Sequence, residues 1–229
     1  IKVHNFSAGP SILPDKVFEQ SSAAINNFNG KGLSILEISH RSKDFIDVLD
    51  EARSLALDIA DLDPTKYACI FLQGGASMQF LMTAYNFLNN KAAYINTGSW
   101  STKAIKEAKL FGNVFEIASS SDKNFNYIPK NISINEVYDY IHITSNNTIF
   151  GTQFHSFPDS NSPLIADMSS DIFSRNINFS QFDLIYAGAQ KNLGPAGATM
   201  VIIKNDLLDT VQREVPSMLN YKIHIDKDS

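Results

Sequence analysis

Lys191 is the residue of this chain with the most evident chemical use. It follows the apolar run Leu184-Ile185-Tyr186-Ala187-Gly188-Ala189 and precedes Gly194-Pro195-Ala196-Gly197, with no acidic residue close by. Desolvation lowers a lysine's pKa toward the neutral amine, the form that attacks carbonyl carbons and makes imines. A lysine that only snorkels past a sheet edge would look the same in isolation. Asp167 closes a second apolar run, Pro163-Leu164-Ile165-Ala166. A carboxylate so placed must be paired, because an isolated buried charge is costly. A plain capping aspartate ahead of Ser169 and Ser170 is the alternative.

Three further segments carry usable groups. Gln73-Gly74-Gly75-Ala76-Ser77 joins an apolar strand to a helix. Its glycines allow close backbone approach, and a helix N-terminus offers unpaired N–H groups and the positive dipole end, which suits a phosphate. It would also serve as a bare turn. Asn96-Thr97-Gly98-Ser99-Trp100 holds the one tryptophan, whose face could stack on a flat heteroaromatic ring or simply pack in the core. Thr148, in Ser145-Asn146-Asn147-Thr148, offers a hydroxyl, as any polar loop does.

Each segment alone has an ordinary structural explanation. Together they meet the needs of one cofactor, pyridoxal phosphate: a lysine for the aldehyde, a cradle for the phosphate, an indole for the ring and an aspartate to keep the pyridinium nitrogen protonated so that the ring accepts electrons. Asp167 lies 24 residues before Lys191, room for a crossover to a neighbouring strand. No metal is expected: Cys69 is the single cysteine and cannot form a multi-thiolate site.

These groups need a scaffold that brings strand ends together. Seven apolar runs fit strands: 68–72, 92–95, 114–117, 140–144, 164–166, 184–187 and 199–203. Helix-period segments cover 17–28, 43–62, 77–88 and 102–111. In the first, Val17, Phe18, Ser21, Ala24, Ile25 and Phe28 form the expected inner face. In the second it is Phe45, Val48, Leu49, Ala52, Leu55, Ala56 and Ile59. The alternation predicts an α/β fold with a mostly parallel sheet covered by helices. Such sheets bind ligands at the carboxyl ends of their strands, where all five segments lie.

The composition (44% apolar, 19% charged) is that of a packed globular protein. A net charge of −5 without a basic run argues against nucleic acid. No stretch reaches the roughly 18 apolar residues of a membrane span. The opening Ile1, Lys2, Val3, His4 and Asn5 lack the apolar segment of a secretory leader, so a cytoplasmic enzyme is expected.

The motifs, taken in order, resemble those of the phosphoserine aminotransferase family, within the class V, fold-type I pyridoxal-phosphate enzymes. They are Asn5-Phe6-Ser7-Ala8-Gly9-Pro10, Ser39-His40-Arg41-Ser42, Gly74-Gly75-Ala76-Ser77, Thr97-Gly98-Ser99-Trp100, Ala166-Asp167-Met168-Ser169-Ser170, and Gly188-Ala189-Gln190-Lys191-Asn192-Leu193-Gly194-Pro195-Ala196-Gly197. The last is the most specific. The resemblance implies that Lys191 forms the Schiff base, Asp167 pairs with the pyridinium and Trp100 stacks on the ring. It further implies that Ala76, Ser77 and Gln190 serve the phosphate, Thr148 contacts the cofactor, and Arg41, helped by His40, grips the distal phosphate or carboxylate of the substrate. A guanidinium suits that task because it bonds such groups in bidentate fashion.

The implied reaction is amino transfer between phosphoserine and 2-oxoglutarate, giving 3-phosphooxypyruvate and glutamate or the reverse, in serine biosynthesis. 4-Phosphohydroxythreonine, from pyridoxine biosynthesis, is a further substrate the family suggests. Two departures qualify the match. Some members carry arginine at Ser77. The family also continues past Ser229 into an Asn-Thr-Pro segment and a small C-terminal domain. The expected organisation is therefore an N-terminal arm over 1–14 and a cofactor-binding large domain over 15–229, with the small domain not represented, in a homodimer with shared active sites. The rivals are another class V chemistry (alanine–glyoxylate transamination, or sulfur removal from cysteine, which a strand-borne Cys69 disfavours) and a non-catalytic module for phosphate ligands.

Overall fold

The computed structural model describes residues 3–228; Ile1, Lys2 and Ser229, which the sequence reading touches, lie outside them. Two helices, α1 (Asp15–Asn26) and α2 (Lys43–Ile59), precede the sheet. Strand β1 (Tyr67–Leu72) is followed by α3 (Gly75–Phe87), β2 (Lys91–Asn96), α4 (Ser99–Ala108) and β3 (Asn113–Ser119). Then come β4 (Ile141–Thr144), β5 (Leu164–Asp167), β6 (Leu184–Gly188) and β7 (Thr199–Lys204), with two short helices, α5 (Asn205–Leu208) and α6 (Tyr221–Asp226), at the end.

The seven strands form one sheet in the order β1-β7-β6-β5-β4-β2-β3. β3, β2, β4, β5 and β6 run parallel, while β7 pairs antiparallel with both β6 and β1. All seven anticipated strands form. The near-continuous apolar runs of the inner strands follow from burial on both faces, the condition of a parallel sheet between helices, while edge strand β3 buries none of its residues. Alternation divides the side chains between two cores. Ile141, Ile143, Ala166, Ile185 and Ala187 pack on one face. Tyr140, Ile165, Leu184, Tyr186 and Val201 pack on the other, beneath α3 and α4. An aliphatic side chain as enclosed as Ile165 contributes about 1.5–3 kcal/mol by burial.

The helix faces need correction. α1 buries no residue, and Phe18 and Ile25 are exposed. In α2 only Ala56 of the expected inner set is buried, beside Leu57, whereas Val48, Leu55 and Ile59 face outward. The physical reason is the docking edge: α2 packs on β1 through Ala56, Leu57 and Ala60, and that edge is turned away from part of its apolar stripe. α6 had no sequence signal, being too short for periodicity. It is anchored by Tyr221, whose ring stacks on Phe87 at 5.7 Å and whose hydroxyl donates to Gln79 Oε1 at 2.6 Å.

Among the described residues no helix is long and apolar enough to cross a membrane.

Candidate active site

The parallel strands end at one edge of the sheet, and the five chemically loaded segments collect there. At β1 the chain turns through Gly74 and Gly75, both with positive φ (92° and 66°), into α3. At Gly74 a Cβ would sit 2.5 Å from Met78 Cβ, so the turn requires glycine there. No side chain caps this end of α3, which leaves its first-turn N–H groups for an anion. The Gln190 side chain reaches the same place: a Cβ built on Gly188 would lie 3.0 Å from Gln190 Oε1 and 3.5 Å from the Ala76 nitrogen. Ser77 is exposed on this first turn.

After β2, Asn96 and Ser101 shape the next turn. The Ser101 hydroxyl accepts the N–H groups of Thr97 and Gly98, both at 3.0 Å, and Thr102 Oγ1 donates to the Gly98 carbonyl at 2.9 Å. α4 thus begins three residues earlier than its periodicity suggests, and Trp100 sits in its first turn. The Lys191 ammonium lies 4.9 Å from the centre of the indole ring and 2.5 Å from Thr148 Oγ1. Burial holds Lys191's pKa below the ordinary lysine value, with Asp167 opposing.

Asp167 ends β5, in register with Thr144 and Tyr186. Its Oδ1 accepts the Ser169 N–H at 3.0 Å and the Ser169 hydroxyl at 2.6 Å. Burial raises its carboxyl pKa, and the Ser169 bonds and Lys191 pull it back. The remaining carboxylate oxygen is available to a cationic ring nitrogen.

The structure therefore brings Lys191, Thr148, Trp100 and Asp167 together, with Ala76 and Gln190 at the adjoining helix end. His40 and Arg41 are exposed on the Ser39–Ser42 turn ahead of α2. One contributor was missed. The N-terminal arm crosses Lys191: Ser11 N donates to the Gln190 carbonyl at 2.9 Å, and Ser11 Oγ donates to the Lys191 carbonyl. A Cβ on Gly9 would come within 3.1 Å of Lys191 Cγ. The Ser-Ala-Gly-Pro motif marked the arm, but contacts across 180 residues leave no pattern in a single sequence.

A lysine, an aspartate, an indole and an uncapped helix end form a pattern that known families share. The family described as Aminotransferase class-V matches residues 3–218. This chain belongs to that family. It is 60% identical to a phosphoserine aminotransferase of Flavobacterium johnsoniae, over its whole length and 65% of the relative. It superposes with a TM-score of 0.95 on a phosphoserine aminotransferase solved in a study of Schiff-base radiation damage, at 48% identity, covering 99% of this chain and 64% of that one. A pyridoxal-phosphate-bound phosphoserine aminotransferase from Trichomonas vaginalis matches with a TM-score of 0.90 and 34% identity, covering 99% of this chain and 65% of that one. The mostly parallel sheet is thus the fold-type I architecture of this class V family. The chain spans about 65% of the length of the curated relatives it matches.

Proposed function

We propose that this chain is the cofactor-binding part of a phosphoserine aminotransferase that exchanges an amino group between phosphoserine and 2-oxoglutarate. The observation that carries the reading is the meeting of Lys191 Nζ with Thr148 and the Trp100 ring beside buried Asp167. The names of the similar proteins supply the substrates. Pyridoxal phosphate fits these residues: the uncapped end of α3, with Ala76, Ser77 and Gln190, would take the phosphate, Trp100 would stack on the ring and Thr148 would contact the cofactor. Bound there, it supplies an aldehyde that combines with amines and a ring that accepts electrons.

The chain's own residues do the rest. Lys191 would hold the cofactor through its amine, and its Nζ, neutral when desolvated, would take the proton from the substrate's α-carbon. Asp167, fixed by Ser169, keeps a proton on the ring nitrogen. Arg41, with His40, grips the substrate's distal phosphate. The 1–14 segment acts as an arm over Lys191, and 15–229 as the large domain of a cytoplasmic homodimer with shared sites.

The test is to mix the full-length protein with pyridoxal phosphate, reduce with borohydride and map the peptides, then assay glutamate formation from phosphoserine and 2-oxoglutarate. A tag on Lys191 together with phosphoserine-dependent turnover is expected. A colourless protein, or a tag on another lysine, would overturn the reading.

A further inference from the structure

Trp100 and Thr148 stand on different segments, and one buried side chain joins the two. Asn147 is 1% exposed. Its Nδ2 donates to the Thr97 carbonyl at 2.5 Å and to Thr97 Oγ1 at 3.0 Å. Among the described residues its Oδ1 has no hydrogen-bond partner, and it lies against Gly98, where a Cβ would come within 2.3 Å of it. Thr97 is itself fully buried, so the amide of Asn147 satisfies groups that water cannot reach. From Thr97 and Gly98 the backbone runs directly into the first turn of α4 and Trp100. From Asn147 it runs directly to Thr148.

The rest of the 145–153 loop is held by other means. Asn147 N donates to the Thr152 carbonyl at 2.7 Å and Gly151 N to the Asn147 carbonyl at 2.8 Å, closing the loop on itself. At its base Ser145 Oγ donates to the Asp167 carbonyl at 3.0 Å and also bonds Asp171. Gln153 Nε2 donates to Asp171 Oδ2 at 3.1 Å. These bonds, with those between Asn146 and Ser170, tie the base of the loop to the end of β5 and the turn that follows it, and Thr148 meets Lys191. The Asn147 side chain ties it to the end of β2.

We propose that Asn147 is a positioning residue: it locks the Trp100 turn to the Thr148 loop and so fixes the slot between the indole and the Lys191–Thr148 pair before a cofactor enters. The part of this that concerns cofactor affinity rests on the function proposed above. The part that concerns the placement of Trp100 does not. Gly98 belongs to the same device, because any larger residue would displace the Asn147 amide.

The experiment reads the fluorescence of Trp100 in the full-length protein, isolated as the difference from a Trp100→Phe variant, with and without pyridoxal phosphate. Circular dichroism and melting verify the fold. In Asn147→Ala the Trp100 emission should shift to the red and be quenched more readily by acrylamide in the cofactor-free protein. The dissociation constant for pyridoxal phosphate should rise roughly tenfold, the equivalent of one buried hydrogen bond. Gly98→Ala should do the same, and the double variant should add little, since residues acting through one contact are not additive. Thr97→Val removes only the Oγ1 acceptor and should act in the same direction with a smaller amplitude. It decides the question alone if Asn147→Ala does not fold. Folded variants with unchanged Trp100 emission and quenching would sink the proposal, even with a lowered melting temperature, because Asn147 would then only support its own loop. If the wild type binds no pyridoxal phosphate, the proposed function falls while the cofactor-free Trp100 signal still decides the clamp.

Discussion

Asp167 and Lys191 are pushed by the same burial in opposite directions, and each opposes the push on the other. A carboxylate so desolvated gains most from a cation placed against it, which is what a protonated ring nitrogen provides. Asp167→Asn should leave pyridoxal phosphate bound through Lys191 and the helix end while lowering kcat by several orders of magnitude, because a neutral amide does not hold the ring proton. Near-normal turnover in a steady-state assay would reduce Asp167 to a cap for Ser169. Cys69 is the opposite case. It lies in β1, 5% exposed, with its thiol pushed up to about 12 by burial, so almost no thiolate forms at neutral pH. Iodoacetamide should leave it unmodified in the folded protein and alkylate it after denaturation. Labelling of the native state at a free-thiol rate would return sulfur chemistry to consideration. At this scale the sequence was informative where a residue followed an apolar run, as Asp167 and Lys191 do. It was silent on Ser11 and on the Asn147 clamp, whose partners are set by the fold and not by spacing.

The strands were legible and the helix faces were not, for one reason. A strand buried on both sides is apolar throughout, as in β6, so its place in the sheet hardly matters. A helix buries only the edge it docks, and periodicity alone does not say which part of an apolar stripe that is. α2 shows this in the outward-facing Leu55 and Ile59. The sheet interior also carries polar content that apolar patterning hides. His142 on β4 stacks on Tyr94 of β2 at 4.8 Å, and its Nε2 bonds the Tyr186 hydroxyl of β6 at 2.8 Å. Burial lowers its pKa from 6.5 to about 3. Between those values the unfolded chain binds a proton that the folded chain does not, so stability falls as pH drops below 6.5 and is fully present above it. At pH 5 this one group should cost about 2 kcal/mol relative to pH 7. His142→Phe should lower stability at pH 7, because it leaves the Tyr186 hydroxyl unpaired, yet flatten the pH dependence. Denaturant midpoints at pH 7 and pH 5 measure both. An equally steep fall in the variant would assign the acid sensitivity to other groups.

At the scale of the whole molecule the chain exposes apolar side chains along its N-terminal third: Phe6 at 93%, Leu36 at 77% and Ile59 at 60%. Scattered exposed apolar residues are ordinary, but these run through the arm, α1, its following turn and α2, and those elements pack sparsely on the sheet. The relatives are longer, so that this chain spans 65% of the Flavobacterium protein. The residues gathered at the strand ends can hold a cofactor, whereas Arg41 and His40, the anchors proposed for the substrate, are exposed. A substrate whose carboxylate is not oriented loses the proximity that makes up a large share of catalysis. A polypeptide ended at Ser229 should therefore take up pyridoxal phosphate at Lys191 but transaminate poorly. One extended to the relatives' length should be active and dimeric, with Phe6, Leu36 and Ile59 better protected. Borohydride trapping, glutamate formation and light scattering on the two lengths side by side decide this. Equal activity would mean that the 229 residues already hold every substrate anchor, and that Arg41 is not the one to look for.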